Sequence, residues 1–533
     1  MHGELLDAGT AQALELAWFR AQLMPVTHYG RRAFDALRPF VPGEEQMATQ
    51  TAQHIMSVAN EFDDECVDAL RDALSKTPDL TDILARISVG RSPDDADLLL
   101  LLRACDALVR IDGLAGTVLG RSGNAASDAL AQAIEHGRSG HFGFYLDASF
   151  DEELRSARDA YERSQSAFEL ARSRIAERVA HELGRERIES DEFIVMRDTL
   201  VHGVPQSVHI VREASTYYLC ELELDDQALV LLGKRDTAAS TLAHAEERVR
   251  ERIGTQIRDH IAGLDAALTH LGAVDLIVAQ VRFARRYACT APEYVPTAEL
   301  SFSEGRFLPL VEELEREGRR YVRIDVQLDA VAVLTGPNMG GKSVCLRTCA
   351  SIVWLSAYGL PVPARDVRAG LFASVAWLGL GAEAAHGSLL SAFASELLRL
   401  REILAMSHAH GIVFVDEFAR TTNPSEGMAL LVAMIADLRR RGCIGFIATH
   451  LAGVAAAAGA LHFAVRGLRD APKQTSSREL SVILAALGDA MDYRIVRADR
   501  VDESHADAIA LAKLLGIDDE IIADAYKAFH AAH

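Results

Sequence analysis

VAVLTGPNMGGKSVCLRTCASIVWL, residues 331 to 355, is the stretch that decides the fold. Val331 to Thr335 is a short apolar, β-branched run, Gly336 to Gly341 is rich in glycine, and the segment from Lys342 onward reads as a helix. A phosphate-binding loop requires a strand, a glycine turn and a helix in that order. Gly336, Pro337, Asn338, Met339, Gly340, Gly341, Lys342 and Ser343 have the required spacing, and Val344 completes the candidate nucleotide-binding set. Glycines let backbone N–H groups turn inward around phosphates, and the helix N-terminus adds partial positive charge. Lys342 is then expected to reach the β and γ phosphates and Ser343 to hold Mg²⁺, so ATP or GTP is the expected ligand.

Working outward, Ile412 to Glu417 is an apolar strand ending in two acids about 70 residues after the loop. That strand would bring Asp416 beside the magnesium ion and Glu417 to an attacking water. Cys443 to His450 is a further apolar strand, with His450 at its end as a candidate γ-phosphate sensor or water-positioning group. Together with YVRIDV (Tyr321 to Val326), these runs are mostly separated by helical stretches, the pattern of buried parallel strands. We therefore expect an α/β P-loop domain over residues 291–533.

The remainder reads differently. Residues 1–150 carry apolar positions at three- and four-residue spacing, as in Val67, Leu70 and Leu74, and predict a helical core. Within it, Ser92 is expected as the N-cap of a helix with Pro93 at its first position and acids in its first turn. Residues 151–290 predict two long helical arms, the first marked by Leu154, Tyr161, Phe168, Ile175 and Val179. Between them FIVMRD (Phe193 to Asp198), SVHIV (Ser207 to Val211) and TYYLCELEL (Thr216 to Leu224) predict a small β-containing tip at about 191–236. A solvated coiled coil that only spaces domains fits the arm periodicity as well.

The chain has 533 residues and a formal charge of -21, from 76 acidic against 55 basic side chains. A field of that sign opposes generic binding to nucleic acid or anionic lipid, unless a local basic stripe overcomes it. Its seven scattered cysteines suit a reducing compartment, and Cys345 and Cys349 read as core packing rather than a zinc site. The N-terminus lacks a leader pattern and no run approaches the length of a membrane span, so the expectation is a cytoplasmic protein without a membrane partner.

In their order along the chain, GPNMGGKS, the two-acid strand, the ending at Phe446 to His450 and YRIVRADRVDESHADAIALAKLLGI (Tyr493 to Ile517) resemble the MutS ATPases. Thr77 to Leu108 is similar to that family's helical core. The resemblance implies a helical core starting the chain, with the mismatch-recognition and connector domains absent. It also implies a homodimer with two composite ATP sites, in which Ser391, matched together with Phe393 and Glu396, would reach the partner's γ phosphate. Asn338 matches a phosphate-contacting residue. Gly305-Arg306-Phe307 resembles the segment near the adenine, although the family's His-Pro is replaced and Pro309 lies one place late. Phe307 is thus open between base stacking and core packing.

Where repair members carry Gly-Arg-Gly-Thr-Ser-Thr followed by Asp-Gly, this chain reads Phe418-Ala419-Arg420-Thr421-Thr422-Asn423-Pro424-Ser425-Glu426-Gly427. The lost glycines and added Pro424 should stiffen the loop. Its TTNP variant is similar to MutS-related ATPases that reactivate cobalamin-dependent aminomutases. The resemblance therefore implies an ATP-hydrolysing dimer, with ADP as product, that opens and closes its arms on a protein partner, such as an aminomutase with a small accessory subunit. The alternative is a protein acting on mismatched or branched DNA. At the tip Asp191, Glu192, Asp198, Glu221, Glu223, Asp225 and Asp226 outweigh Arg197, Arg212, Lys234 and Arg235, which disfavours DNA.

Overall fold

The computed structural model describes residues 5–122, 125–134, 138–139, 143–188, 190, 192–200, 203–337, 341–379, 392–420, 422–468, 491–498, 509, 512–513 and 517–532. The chain forms two compact units. One comprises Met1–Ser75, Leu114–Gly120 and Thr269–His533; the other comprises Lys76–Gly113 and Arg121–Leu268. These units cut across the three segments suggested by composition, because the helix Asp226–Arg286 contributes residues to both.

The first unit contains a six-stranded sheet in the order Ser374–Gly379, Gly411–Asp416, Ile444–Ala448, Val331–Thr335, Leu461–Leu468, Met491–Arg497. The first five strands are parallel and the last is antiparallel. Val331, Val333, Val413, Val415 and Ile447 pack with Ile403, Leu431, Met434, Ile435 and Leu438 of two helices, Ala392–Met406 and Pro424–Arg440. The helix Lys342–Ala357, nearly all of it buried, packs against strands of the same sheet. Apolar strands buried on both faces are what a parallel sheet requires. Cys345 and Cys349 lie inside this helix as free, buried thiols, and burial pushes Cys345 well up from the ordinary thiol range.

The sheet edge is covered from the far end of the sequence. Val375 N donates to Leu5 O at 2.7 Å and Trp377 N donates to Thr10 Oγ1 at 3.0 Å. Asp7 anchors the segment by pairing with Arg399 at 2.6 Å. Burial alone would raise the Asp7 carboxyl, but hydrogen bonds from Arg399 and Thr10 and the Arg399 charge hold it below the ordinary value. Covering an edge strand removes a template for unwanted pairing.

In the second unit, Glu152–Glu182 is one arm, capped by Asp151, whose carboxylate accepts the Glu153 N–H at 2.8 Å. It runs antiparallel to the first part of Asp226–Arg286, as shown by pairs Arg158–Glu246 at 3.2 Å and Arg248–Glu153 at 2.6 Å. The tip is a three-stranded antiparallel sheet of Glu192–Met196, Tyr217–Leu222 and Val208–Glu213, in that order. Phe193, Val195, Val208 and Cys220 bury one face of it against Ile175, Val179 and Leu183.

Several details differ from the sequence reading. YVRIDV, read with the parallel strands, leads into strand Ile324–Leu328, which pairs antiparallel with Leu300–Gly305 in a separate four-stranded sheet. The helix expected to start at Ser92 starts at Asp95: the Asp94 carboxylate accepts the Asp97 N–H at 2.8 Å while Asp97 accepts the Asp94 N–H at 3.2 Å. That reciprocal capping box outcompetes a single serine hydroxyl. The second arm, expected to follow a tip ending at about residue 236, extends over Asp226–Arg286, and one window of it is long and apolar enough to qualify as a membrane span by length and composition. Half of that window is buried inside the protein. Asp275, on the same helix, is buried and accepts hydrogen bonds from Thr27 N at 2.7 Å and Thr27 Oγ1 at 2.6 Å.

Candidate nucleotide-binding site

Lys342 and Ser343 begin the helix that follows strand Val331–Thr335. Gly341 caps it in the left-handed region at φ +82°, and a Cβ there would lie 3.1 Å from the Tyr493 ring. Both facts call for glycine. Asn338, Met339 and Gly340 lie outside the described residues, as does Ser391. Pro337 is described through its carbonyl, which together with that of Gly336 accepts Lys342 Nζ at 3.1 and 2.9 Å. Val344 follows in the first helical turn, where its carbonyl accepts Thr348 Oγ1 at 2.8 Å.

Parallel pairing aligns the strand ends. Asp416 is in register with Ala448 of the next strand, and Ala448 with Leu334 just before the loop. Ser343 Oγ therefore donates to Asp416 Oδ1 at 2.9 Å, although the two are 73 positions apart. Asp416 is raised above the ordinary carboxyl value by burial first and by the neighbouring Glu417 charge, against the lowering effect of the Ser343 hydrogen bond. Gly379 on the adjacent strand leaves room for it, since a Cβ there would come within 2.8 Å of the Asp416 side chain.

Glu417 Oε1 lies 3.4 Å from Lys342 Nζ, whose side chain is only 4% exposed, and Glu417 Oε2 lies 3.2 Å from Arg420 Nη1. Glu417 and Ala419 are both left-handed, at φ 56° and 65°. For residues bearing a Cβ this costs roughly 1–2 kcal/mol each. Phe418 between them is buried in the sheet core. The helix Ala392–Met406 holds the turn: Glu396 Oε2 accepts the Ala419 N–H at 2.9 Å and Phe393 lies 6.4 Å from Phe418, ring to ring. Motif spacing marked Phe393 and Glu396 only as companions of Ser391. Their contact with the turn after Asp416 was beyond sequence reasoning, because it joins segments that share no local pattern.

His450 stands exposed just past strand Ile444–Ala448, while its neighbour Thr449 is buried and Thr449 N donates to Leu334 O at 3.1 Å. Phe307 is placed away from any open face. Its ring is 2% exposed and lies 6.3 Å from Phe19, which in turn lies 5.9 Å from Trp354. Its N–H donates to Tyr321 Oη at 3.2 Å, and burial pushes that phenol up to about 12. Phe307, open between base stacking and core packing, is thus placed among buried aromatic rings.

The donor set fits a magnesium nucleotide. A lysine ammonium held near backbone carbonyls beside a helix N-terminus suits phosphate, and a hydroxyl paired with a carboxylate is the partial oxygen set that Mg²⁺ completes with phosphate and water. Among the described residues no group of three His, Cys, Asp or Glu side chains is disposed to hold a metal by itself.

Comparison with known proteins agrees with this geometry. Residues 332–532 match the family model described as MutS domain V. The protein named Endonuclease MutS2 of Clostridium botulinum (strain Loch Maree / Type A3) is 30% identical over 207 residues, which is 38% of this chain and 26% of that protein. Endonuclease MutS2 of Halalkalibacterium halodurans is 29% identical over 233 residues, 43% of this chain and 29% of the relative. That of Pelotomaculum thermopropionicum is 30% identical over 208 residues, 38% and 26% respectively. The chain covers about a quarter of the length of the relatives it matches. With strand, loop, helix and paired acids in place, residues 332–532 are similar to MutS domain V, a P-loop ATPase domain.

Proposed function

We propose that this protein is a dimeric MutS-type ATPase that couples ATP binding and hydrolysis to movement of its arms on a macromolecule. The observation that carries the reading is the convergence of Lys342 and Ser343, at the start of the helix after strand Val331–Thr335, with Asp416 and Glu417 at the end of strand Gly411–Asp416, two places away in the same parallel sheet. In this reading Gly336 to Val344 hold the phosphates, Ser343 and Asp416 hold Mg²⁺, Glu417 orients the attacking water, and His450 senses the γ phosphate. Ser391 of one protomer completes the other protomer's site. The bound magnesium ion would supply charge neutralisation at the β and γ oxygens.

DNA is the partner favoured by the relatives, which are named as endonucleases of the MutS2 type. The test of both steps uses the full-length protein. ATP hydrolysis and retention of a fluorescent ATP analogue are measured first. Binding to duplex, mismatched and branched DNA is then followed at near-physiological salt, with and without ATP. Binding that survives salt and responds to nucleotide supports the DNA reading, and its absence overturns it.

One observation favours a second reading, in which the partner is a protein such as a cobalamin-dependent aminomutase with its accessory subunit. Two of the tip cations are engaged internally. Arg197 pairs with Glu213 at 3.0 Å and lies over Tyr218, while Arg235 pairs with Asp236 at 2.6 Å and lies over Phe168. The same tip exposes Ile194 and Met196 to about half their area, an apolar surface better suited to a protein than to phosphates.

A further inference from the structure

The turn after Asp416 is held in a conformation that its own residues do not favour. Glu417 and Ala419 both sit at positive φ, and such strain persists only where the surroundings over-determine it. Three contacts do so. Glu417 N donates to Ala448 O at 3.0 Å, Phe418 is anchored beside Phe393, and Ala419 N donates to Glu396 Oε2 at 2.9 Å. Phe393 and Glu396 are three residues apart on the helix Ala392–Met406, so both are presented from one side of it.

We propose that Glu396 is a positioning residue for ATP hydrolysis: by accepting the Ala419 N–H, it locks the left-handed turn that aims the Glu417 carboxylate toward Lys342. Loss of that acceptor removes the contact made at Ala419 itself, and relaxation of its positive φ rotates Glu417 away from the phosphate end of the site. Arg420, on the far oxygen of Glu417, cannot compensate, because it is carried by the same turn. The inference rests on the reading of Glu417 as the water-orienting acid and adds the element that orients it.

The test compares kcat, KM and fluorescent-nucleotide affinity for the full-length wild type, Glu417→Gln, Glu396→Ala, Glu396→Gln and the double variant Glu396→Ala/Ala419→Gly. Glu396→Ala should lower kcat by about tenfold or more while KM and affinity stay within about twofold, since only alignment in the transition state is lost. Glu396→Gln should stay close to wild type, because the amide oxygen still accepts the N–H. Glycine at 419 adopts positive φ freely, so the double variant should recover most of the lost kcat, which a role in general packing would not allow. An unchanged kcat in Glu396→Ala, or a loss that neither glutamine nor the added glycine restores, overturns the proposal. If Glu396→Ala melts below the assay temperature, kcat of Glu396→Gln and of the double variant decides in the same way. Normal hydrolysis by Glu417→Gln would instead overturn the underlying reading of Glu417, so the two failures are told apart.

Discussion

The nucleotide site and the arm tip use charge in opposite ways. At the strand ends, Lys342, Ser343, Asp416, Glu417 and Arg420 come from two separate segments and are drawn onto shared partners, with a buried lysine facing a carboxylate. At the tip, arginines pair with acids of the same small unit and lie over its own aromatic rings, as Arg197 does on Tyr218 at 4.5 Å. Charges gathered into a desolvated site are poised for chemistry; charges paired on an exposed surface contribute little. The contrast teaches that the amount of charge in a region says less than where its partners lie.

The largest effect expected is on hydrolysis. Glu417→Gln should reduce ATP turnover by about 10²–10⁴-fold, the usual worth of a positioned general base, while a fluorescent ATP analogue remains bound. Unchanged turnover would place the chemistry elsewhere and break the comparison. Next comes the tip: Phe193→Ala should remove about 3–5 kcal/mol from the local core, visible as faster amide exchange in residues 192–222, with ATP turnover within about twofold of wild type. A collapse of turnover would mean that the tip is not energetically separate from the site.

A smaller effect is expected from Asp7→Asn. Because the Asp7 carboxyl is held below its ordinary value near 3.8, its contribution is fully present above that value and fades as pH falls through the lowered one. The variant should be less stable by about 1 kcal/mol at neutral pH, and the difference in denaturation midpoint should shrink on acidification below the ordinary aspartate value. A difference independent of pH would assign the loss to packing. The smallest effect is Arg197→Ala: tip stability should change by no more than about 1 kcal/mol, and the salt dependence of any DNA binding should not move. A clear drop in its salt slope would show that Arg197 meets phosphate and would favour the DNA reading.

Much of this was legible along the chain. The phosphate loop could be read from Gly336 to Ser343 because backbone geometry restricts that turn to glycines in series before a helix. The tip strands could be read from alternating residues such as Phe193 and Val195, whose burial on one face follows from a period of two. Phe307 was not decided by its neighbours, since a phenylalanine after Gly-Arg is equally at home on a base or in a core; its contact with Phe19, nearly 300 positions away, is visible only in the fold.

Local order thus specified the nucleotide loop, the acid-ended strand, the arms and the β tip, because each depends on periodicity or conformational preference within a few residues. Tertiary structure alone decided that Ser343 meets Asp416, that Glu396 supports the turn carrying Glu417, and that the segment from Leu5 to Thr10 covers the sheet edge. Those contacts arise where strands and helices distant in sequence are brought side by side, and no spacing along the chain encodes a distance across it.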